Sequence, residues 1–165
     1  MMSESDQDFF SEPAIQELVG ISNVYMCQAK EFARMHSLDK VMPTGSVITK
    51  NGIVLGKAAN GSSYHETHVC ERVRLKIPTG QGYELCEGCH PKNHSEVRAI
   101  ADALSKGADL HGADIYLWGH WWLCRWCRDS LAKVGIQKIY MLENSEIIFN
   151  KLKDGNMVGK QFQAD

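Results

Sequence analysis

Apolar and polar positions alternate between residues 46 and 58, and many of the apolar positions hold β-branched residues. A period of two is typical of a strand with one buried face. Asn51 and Gly52 interrupt the alternation, and both tolerate the positive φ that a tight two-residue turn requires. The segment therefore predicts two antiparallel strands joined as a hairpin.

The pattern elsewhere predicts helices that alternate with short buried strands. Residues 11–35 have apolar positions spaced as in one or two amphipathic helices, and residues 95–104 and 124–134 have the same period. Short apolar runs at 115–118 and 137–142 are typical of buried strands. Strand, helix and strand in this order predict a right-handed parallel crossover. We therefore predict an α/β fold with three layers, α/β/α, and a mixed sheet of about five strands.

Length and polarity predict one domain. The chain has 165 residues, of which 44% are apolar, enough for one substantial core. We expect residues 11–153 to form this domain, with a last strand or helix at 146–152. Residues 1–10 are predicted to be a flexible N-terminus, and the polar residues 154–165 a mobile tail.

The charge balance argues against a general affinity for polyanions. The formal net charge is −2 and the isoelectric point is near 6.4, so neither nucleic acid nor a membrane is the favoured partner. The acidic N-terminus lacks the basic flank and apolar run of a signal peptide, and no run of 18 apolar residues follows. We expect a cytoplasmic protein whose six cysteines are reduced.

Four residues predict a catalytic metal site: His94, Glu96, Cys124 and Cys127. One imidazole and two thiolates supply three ligands for Zn²⁺ and leave the fourth tetrahedral position to water. Glu96 is not needed as a ligand, so it can carry a proton between that water and a substrate. A C-x-x-C pair alone could be a redox pair or half of a structural zinc site, but the upstream H-x-E favours a catalytic zinc.

These motifs occur in an order that resembles the zinc-dependent cytidine and deoxycytidylate deaminases, and most of all the deoxycytidylate branch. After the hairpin come A-A-N-G at 58–61, H-S-E at 94–96, G-A-D-I-Y-L at 112–117 and C-R-W-C at 124–127. The resemblance implies hydrolytic deamination of a cytosine-type nucleoside or nucleotide, with release of ammonia. It also implies that Asn60 and the backbone amide of Ser95 contact the substrate.

The segment before the cysteines departs from the family pattern. Leu123 stands where the family has proline, and about two extra residues precede Cys124. The four tryptophans of this region could stack a base or a single strand, or could pack in the core or in a subunit interface of the homo-oligomer that is common in the family. Two alternatives therefore stay open: a deaminase of another nucleobase or of a base within tRNA or single-stranded DNA, and a non-catalytic zinc-containing interaction module.

Residues 61–93 form a long irregular connection, which a compact domain tolerates when the segment is functional or tied down. Cys86 and Cys89 have the spacing of a zinc half-site, and some deoxycytidylate deaminases carry an additional structural zinc in this region. We therefore predict a second zinc site formed by Cys70, Cys86, Cys89 and one histidine, for which we choose His90. The alternative is a set of reduced, packed thiols. In the same segment, basic and apolar residues alternate over 72–77, which predicts a strand with a basic face.

Overall fold

The computed structural model describes residues 15–78 and 81–163. Its five strands are β1 (Ile15–Val19), β2 (Gly45–Lys50), β3 (Ile53–Ala59), β4 (Asp114–Trp118) and β5 (Lys138–Leu142). Its six helices are α1 (Val24–His36), α2 (Tyr64–Thr67), α3 (Glu71–Arg74), α4 (Ser95–Ser105), α5 (Arg125–Lys133) and α6 (Ser145–Ile148). Two 3₁₀ turns, Tyr83–Leu85 and Pro91–Asn93, precede α4. No helix within these two ranges is both long and apolar enough to cross a lipid bilayer.

The strands form one mixed sheet in the order β1-β5-β4-β2-β3. The pairs β1–β5 and β4–β5 are parallel, whereas β2 is antiparallel to both β3 and β4. Asn51 and Gly52 have φ values of 52° and 77°, as the turn of the β2–β3 hairpin requires. The predicted hairpin, the parallel β4–α5–β5 crossover and the mixed five-stranded sheet are confirmed.

Helices cover both faces of the sheet and give it two cores. Along β4, Ile115 and Leu117 point into the core beneath α4 and α5, whereas Tyr116 and Trp118 point into the core beneath α1. Since successive side chains of a strand face opposite sides, β4 is buried on both faces. This arrangement confirms the predicted three layers.

The first described segment differs from the prediction of one or two helices over 11–35. Residues 15–19 form the edge strand β1, which pairs with β5, and the helix begins only at Val24. Gly20 separates the two elements, and the Asn23 side chain caps the helix by accepting hydrogen bonds from two backbone N–H groups. Long-range pairing with β5 decides the conformation here, and local apolar spacing does not report such pairing. Residues 11–14 lie outside the described residues.

The irregular segment also corrects one prediction. Residues 71–74 form the short helix α3, in which Glu71 and Arg74 form an ion pair at 2.6 Å, so the basic residues do not lie on the face of a strand. An alternation of charged and apolar residues this short fits either structure, and none of the five described strands pairs with residues 71–74 to favour the extended one.

Residues 154–163 pack against the domain, in contrast to the predicted mobile tail. The Phe162 ring stacks on Trp118 with centroids 5.2 Å apart, and the Gln161 side chain donates a hydrogen bond of 2.9 Å to the Val41 carbonyl. Met157 donates its backbone N–H to the carbonyl of Ile148 in α6. One aromatic ring and two hydrogen bonds thus attach this mostly polar segment to the domain. The predicted flexible N-terminus, residues 1–10, lies outside the described residues.

Candidate active site

The predicted metal ligands lie at the amino ends of two neighbouring helices. His94 is the N-cap residue of α4, and Cys124 is the N-cap residue of α5, with Cys127 one turn further along. Both helices pack on the same face of the sheet, and they contribute to the same core. Side-by-side packing therefore brings the amino ends of the two helices together. The amino end of a helix carries a partial positive charge, which favours the negative charge of thiolates.

Three side chains of these helix ends converge on one point. His94 Nδ1 lies 3.2 Å from Cys127 Sγ and 3.4 Å from Cys124 Sγ, and the two sulfur atoms are 3.2 Å apart. A tetrahedral zinc ion would place such ligand atoms about 3.5–3.8 Å from one another. The three residues, which we call the catalytic cluster, therefore fit one metal ion.

The electrostatics of the two cysteines also suit a metal. The hydrogen bond with Cys127 lowers the pKa of Cys124 to about 5, and the nearby His94 acts in the same direction although burial opposes it. Sharing that hydrogen bond raises the pKa of Cys127, and burial adds to the shift. Cys124 thus favours the thiolate form that binds zinc.

Glu96 lies beside the cluster but is not one of its three members. The residue is 6% exposed, and its Oε2 accepts a hydrogen bond of 3.3 Å from the Ser95 hydroxyl. Burial raises the pKa of Glu96, and the neighbouring His94 and Ser95 offset only part of the effect. A carboxylate with a raised pKa can both accept and return a proton near neutral pH. This is the property that a general acid/base requires.

The two predicted substrate contacts have mainly structural partners. Asn60 Oδ1 accepts from the backbone N–H of Thr44 at 3.0 Å and from the hydroxyl of Ser37, and Nδ2 donates to the Met42 carbonyl at 2.8 Å. Ser95 is fully buried beneath the helix end. Asn60 thus holds the loop before β2, and direct contact of either residue with a substrate stays a prediction.

A second group of potential metal ligands lies in the irregular segment. His65 Nε2 is 3.2 Å from Cys86 Sγ and 3.8 Å from Cys89 Sγ, and the Cys70 and Cys89 sulfur atoms are 3.6 Å apart. These four residues, the loop cluster, could hold one metal ion. Burial opposes ionisation of Cys86, but hydrogen bonds from His65 and from backbone N–H groups outweigh it and lower its pKa to about 6.

The structure does not bring the predicted His90 to the loop cluster. His90 caps the 3₁₀ turn that follows it, because its Nδ1 accepts a hydrogen bond of 3.1 Å from Lys92 N–H. His65 takes its place beside the three cysteines. Gly88 permits this approach, since a Cβ there would lie 2.6 Å from His65 Nε2. The glycine inside C-E-G-C indicates a close approach of another group at this position, but it does not indicate which distant residue makes that approach.

The tryptophans divide between core and surface. Trp118 is 1% exposed and packs edge-on against Phe149 in the α1 core, whereas Trp122 and Trp126 are 41% and 57% exposed. Trp121 is partly buried against the same core. The core alternative therefore holds for Trp118, and two of the four tryptophans are available to a ligand or to another subunit.

The inserted loop at residues 119–123 lies next to the catalytic cluster. Gly119 has a φ of 104°, and a side chain there would overlap the Pro43 carbonyl, so the loop lies against the segment held by Asn60. The His120 ring stacks on Trp121 at 4.8 Å, and its Nδ1 lies 2.9 Å from Trp122 N. Burial lowers the pKa of His120 to about 4, so this ring is neutral at physiological pH.

The sequence matches one protein-family model over most of its length. That family is described as the cytidine and deoxycytidylate deaminase zinc-binding region, and the match spans residues 21–143. All members of the catalytic cluster, the loop cluster and Glu96 lie inside the matched range. No curated protein matches the chain.

The comparison with solved structures finds similarity to deaminases. The dCMP deaminase of cyanophage S-TIM5 in apo form is 21% identical with a TM-score of 0.50, and the alignment covers 76% of this chain and 86% of that chain. The same enzyme in complex with dCMP and dUMP is 22% identical with a TM-score of 0.50, covering 75% and 83%. Guanine deaminase from Bacillus subtilis is 17% identical with a TM-score of 0.49, covering 76% and 67%. For the cyanophage enzyme, the likeness at this identity shows a shared fold.

Proposed function

This chain belongs to the cytidine and deoxycytidylate deaminase family, and on that premise we propose that it is a zinc-dependent hydrolase that deaminates a cytosine-type nucleoside or nucleotide. The observation that carries the proposal is the convergence of His94, Cys124 and Cys127 with a buried Glu96 beside them and outside the ligand set. A purely structural zinc site has four protein ligands and no need of such a carboxylate.

The ligand atoms of the catalytic cluster determine which metal ion it would bind and what chemistry that ion would supply. One imidazole nitrogen and two thiolates fit zinc and leave one coordination position for a small molecule. Zinc held there would supply Lewis-acid activation of a water molecule at neutral pH. The loop cluster has four protein ligands, one histidine and three cysteines. We assign it to a second zinc that supports the structure, because its ligand set is closed.

The protein residues would carry the proton transfers. Glu96 accepts a proton from the attacking water and delivers it to the ring nitrogen next to the amino-bearing carbon, while the water oxygen bonds to that carbon. Glu96 then assists transfer of the proton of the new hydroxyl group to the amino group, the carbon–oxygen double bond forms as the carbon–nitrogen bond breaks, and ammonia leaves. The product is the keto base, uracil from cytosine. Because Glu96 is buried, bulk water does not compete for the proton.

The family membership supports a cytosine-type substrate, and the exposed Trp122 supports one competing choice. The guanidinium of Arg128 lies 5.9 Å from the Trp122 ring centroid, and an exposed aromatic residue beside a cation can stack a base of single-stranded nucleic acid. A base within tRNA or single-stranded DNA is therefore the second candidate substrate. The net charge of −2 favours the small molecule.

Glu96→Gln tests the proposal most directly. Ammonia release is measured for zinc-loaded wild type and variant on cytidine, deoxycytidine, dCMP, cytosine, adenosine, guanine and short oligonucleotides. We expect wild-type activity on one or more cytosine compounds, and a loss of about 10²–10⁴-fold in kcat for the variant. Its zinc content should be unchanged, because Glu96 is not a ligand.

Glu146→Gln is a matched control, since Glu146 is exposed on α6 far along the chain from the site. It should leave both rate and zinc content unchanged. Full activity of Glu96→Gln, or a zinc-loaded wild type that releases ammonia from none of these compounds, would contradict the proposal. Activity confined to the oligonucleotides would select the second candidate.

A further inference from the structure

Cys89 makes contacts with both clusters through different atoms. Its Sγ belongs to the loop cluster, 3.6 Å from Cys70 Sγ. Its backbone carbonyl lies 2.9 Å from His94 Nε2, where it can accept the N–H of that ring nitrogen. The opposite ring nitrogen, Nδ1, faces Cys124 and Cys127. One residue of the loop cluster therefore sets which nitrogen of His94 carries the proton and which is free for a metal.

Arg72 and Tyr83 provide a second connection between the clusters. Arg72 Nη1 lies 3.6 Å from Cys89 Sγ, and the guanidinium lies 4.2 Å from the centroid of the Tyr83 ring. Tyr83 in turn packs edge-on against the His94 ring, with centroids 5.4 Å apart. Two contacts thus hold the His94 imidazole: the Tyr83 ring packs against it, and the Cys89 carbonyl forms a hydrogen bond with Nε2.

The backbone around Cys89 has little regular structure of its own. Between α3 and α4 the regular structure of the described residues consists of two 3₁₀ turns of three residues each, whose hydrogen-bond geometry is poorer than that of an α-helix. The ligands of the loop cluster come from three separate places within residues 61–93: His65 lies in α2, Cys70 precedes α3, and the Cys86/Cys89 pair follows the first 3₁₀ turn. A metal bound by all four would fix the position of the Cys89 carbonyl relative to α4.

We propose that the loop cluster, when it holds its metal, positions His94 through Cys89 and so raises the metal affinity of the catalytic cluster. The inference rests on the proposed function only in taking both clusters to bind zinc. Removing a hydrogen-bond partner behind a metal-ligating histidine costs about 10–100-fold in metal affinity. Coupling between two sites is reciprocal, so the catalytic metal must raise the affinity of the loop cluster by the same factor.

Cys70→Ser is the appropriate variant, because it removes one loop ligand and leaves Cys89 and His94 unchanged. Co²⁺ replaces zinc as a probe, since its absorption distinguishes a site with two thiolates from one with three. The dissociation constant of the catalytic cluster is measured by competition with a chelator. We expect two metal ions per wild-type chain, and a catalytic-site affinity about 10–100-fold lower in the variant. Cys27→Ser, at an exposed cysteine on α1, is the matched control and should bind metal as the wild type does.

Cys124→Ser tests the coupling from the other side. It should weaken the loop metal by the factor that Cys70→Ser imposes on the catalytic metal. Circular dichroism establishes that each variant is folded, and either variant suffices if the other does not fold. Unchanged affinity of the intact cluster in a folded variant, or a wild type that binds one metal ion only, would overturn the proposal. Metal stoichiometry and metal affinity do not depend on turnover. Absence of deaminase activity would therefore contradict the proposed function but not the coupling between the clusters.

Discussion

A buried hydroxyl pair beneath Glu96 allows a quantitative test of how the sheet supports the site. Ser46 on β2 and Ser95 at the start of α4 are both fully buried, and their Oγ atoms are 2.7 Å apart. Ser95 also donates to Glu96 Oε2 at 3.3 Å. The pair therefore links the sheet, the helix end and the proposed general acid/base in one chain of hydrogen bonds.

Replacing one serine with alanine leaves the other hydroxyl buried without this partner. A buried polar group that loses its hydrogen bond costs about 1–3 kcal/mol, whereas removing both partners can be nearly neutral. We expect Ser46→Ala and Ser95→Ala each to lower the free energy of unfolding by about 1–2 kcal/mol. The double variant should lose about 1–2 kcal/mol in total, which gives a coupling energy of about 1–2 kcal/mol. Deleting one oxygen opens no large cavity, so packing adds little to either value.

The double-mutant cycle is measured by urea unfolding of four zinc-loaded proteins: the wild type, the two single variants and the double variant. Equal m-values show that the same unfolding transition is compared in all four. Single effects that add within about 0.5 kcal/mol in the double variant would refute the coupling. The rate gives an independent readout, because only Ser95 touches Glu96. Ser95→Ala should therefore reduce kcat more than Ser46→Ala does, and an equal loss would show that the hydroxyl acts through stability alone.

Two further predictions concern parts of the chain away from the site. Phe162→Ala should lower the free energy of unfolding by about 1–3 kcal/mol, because it removes the ring stacked on Trp118; an unchanged urea midpoint would show that the tail contributes nothing. Burial opposes the charge of Asp102, but hydrogen bonds from Lys106 and from the Lys57 backbone outweigh it and lower the pKa of Asp102. The ionised carboxylate therefore stabilises the folded protein at neutral pH, and this contribution is lost as pH falls below about 4. Asp102→Asn should cost about 0.5–1 kcal/mol at pH 7 and almost nothing near pH 2, whereas a pH-independent cost would exclude the ionised carboxylate as the cause.

The catalytic cluster was predictable because its determinants are local. His94 and Glu96 begin one helix, and Cys124 and Cys127 begin another, so each pair is placed by the first turn of its own helix. The long-range step that the sequence predicted is the parallel β4–α5–β5 crossover, whose handedness is fixed by the twist of strands. Sequence spacing therefore carries enough information to bring these four residues to one edge of the sheet.

Two features could not be predicted from local sequence patterns: the histidine of the loop cluster and the strand β1. His65 lies 21 residues before Cys86 in a segment without periodicity, and it meets the cysteines only because Gly88 leaves room for its ring. His90, one residue after Cys89, was the nearest choice by spacing, yet its side chain caps a backbone turn. In the same way, β1 owes its strand conformation to β5, more than 100 residues further on. Partners that are distant in sequence are not encoded in local patterns.

The division of the tryptophans follows from the two periodicities that meet at the site. On β4, alternation places Trp118 on the α1 face, opposite the face that carries the catalytic cluster. On α5, residues three apart share a face, so turning Cys124 and Cys127 inward forces Trp126 outward. Only the loop between these elements is free of both periods, and it contains the two inserted residues and His120. The fold therefore fixes the positions of the residues at the helix ends, whereas neither period determines the conformation of this loop.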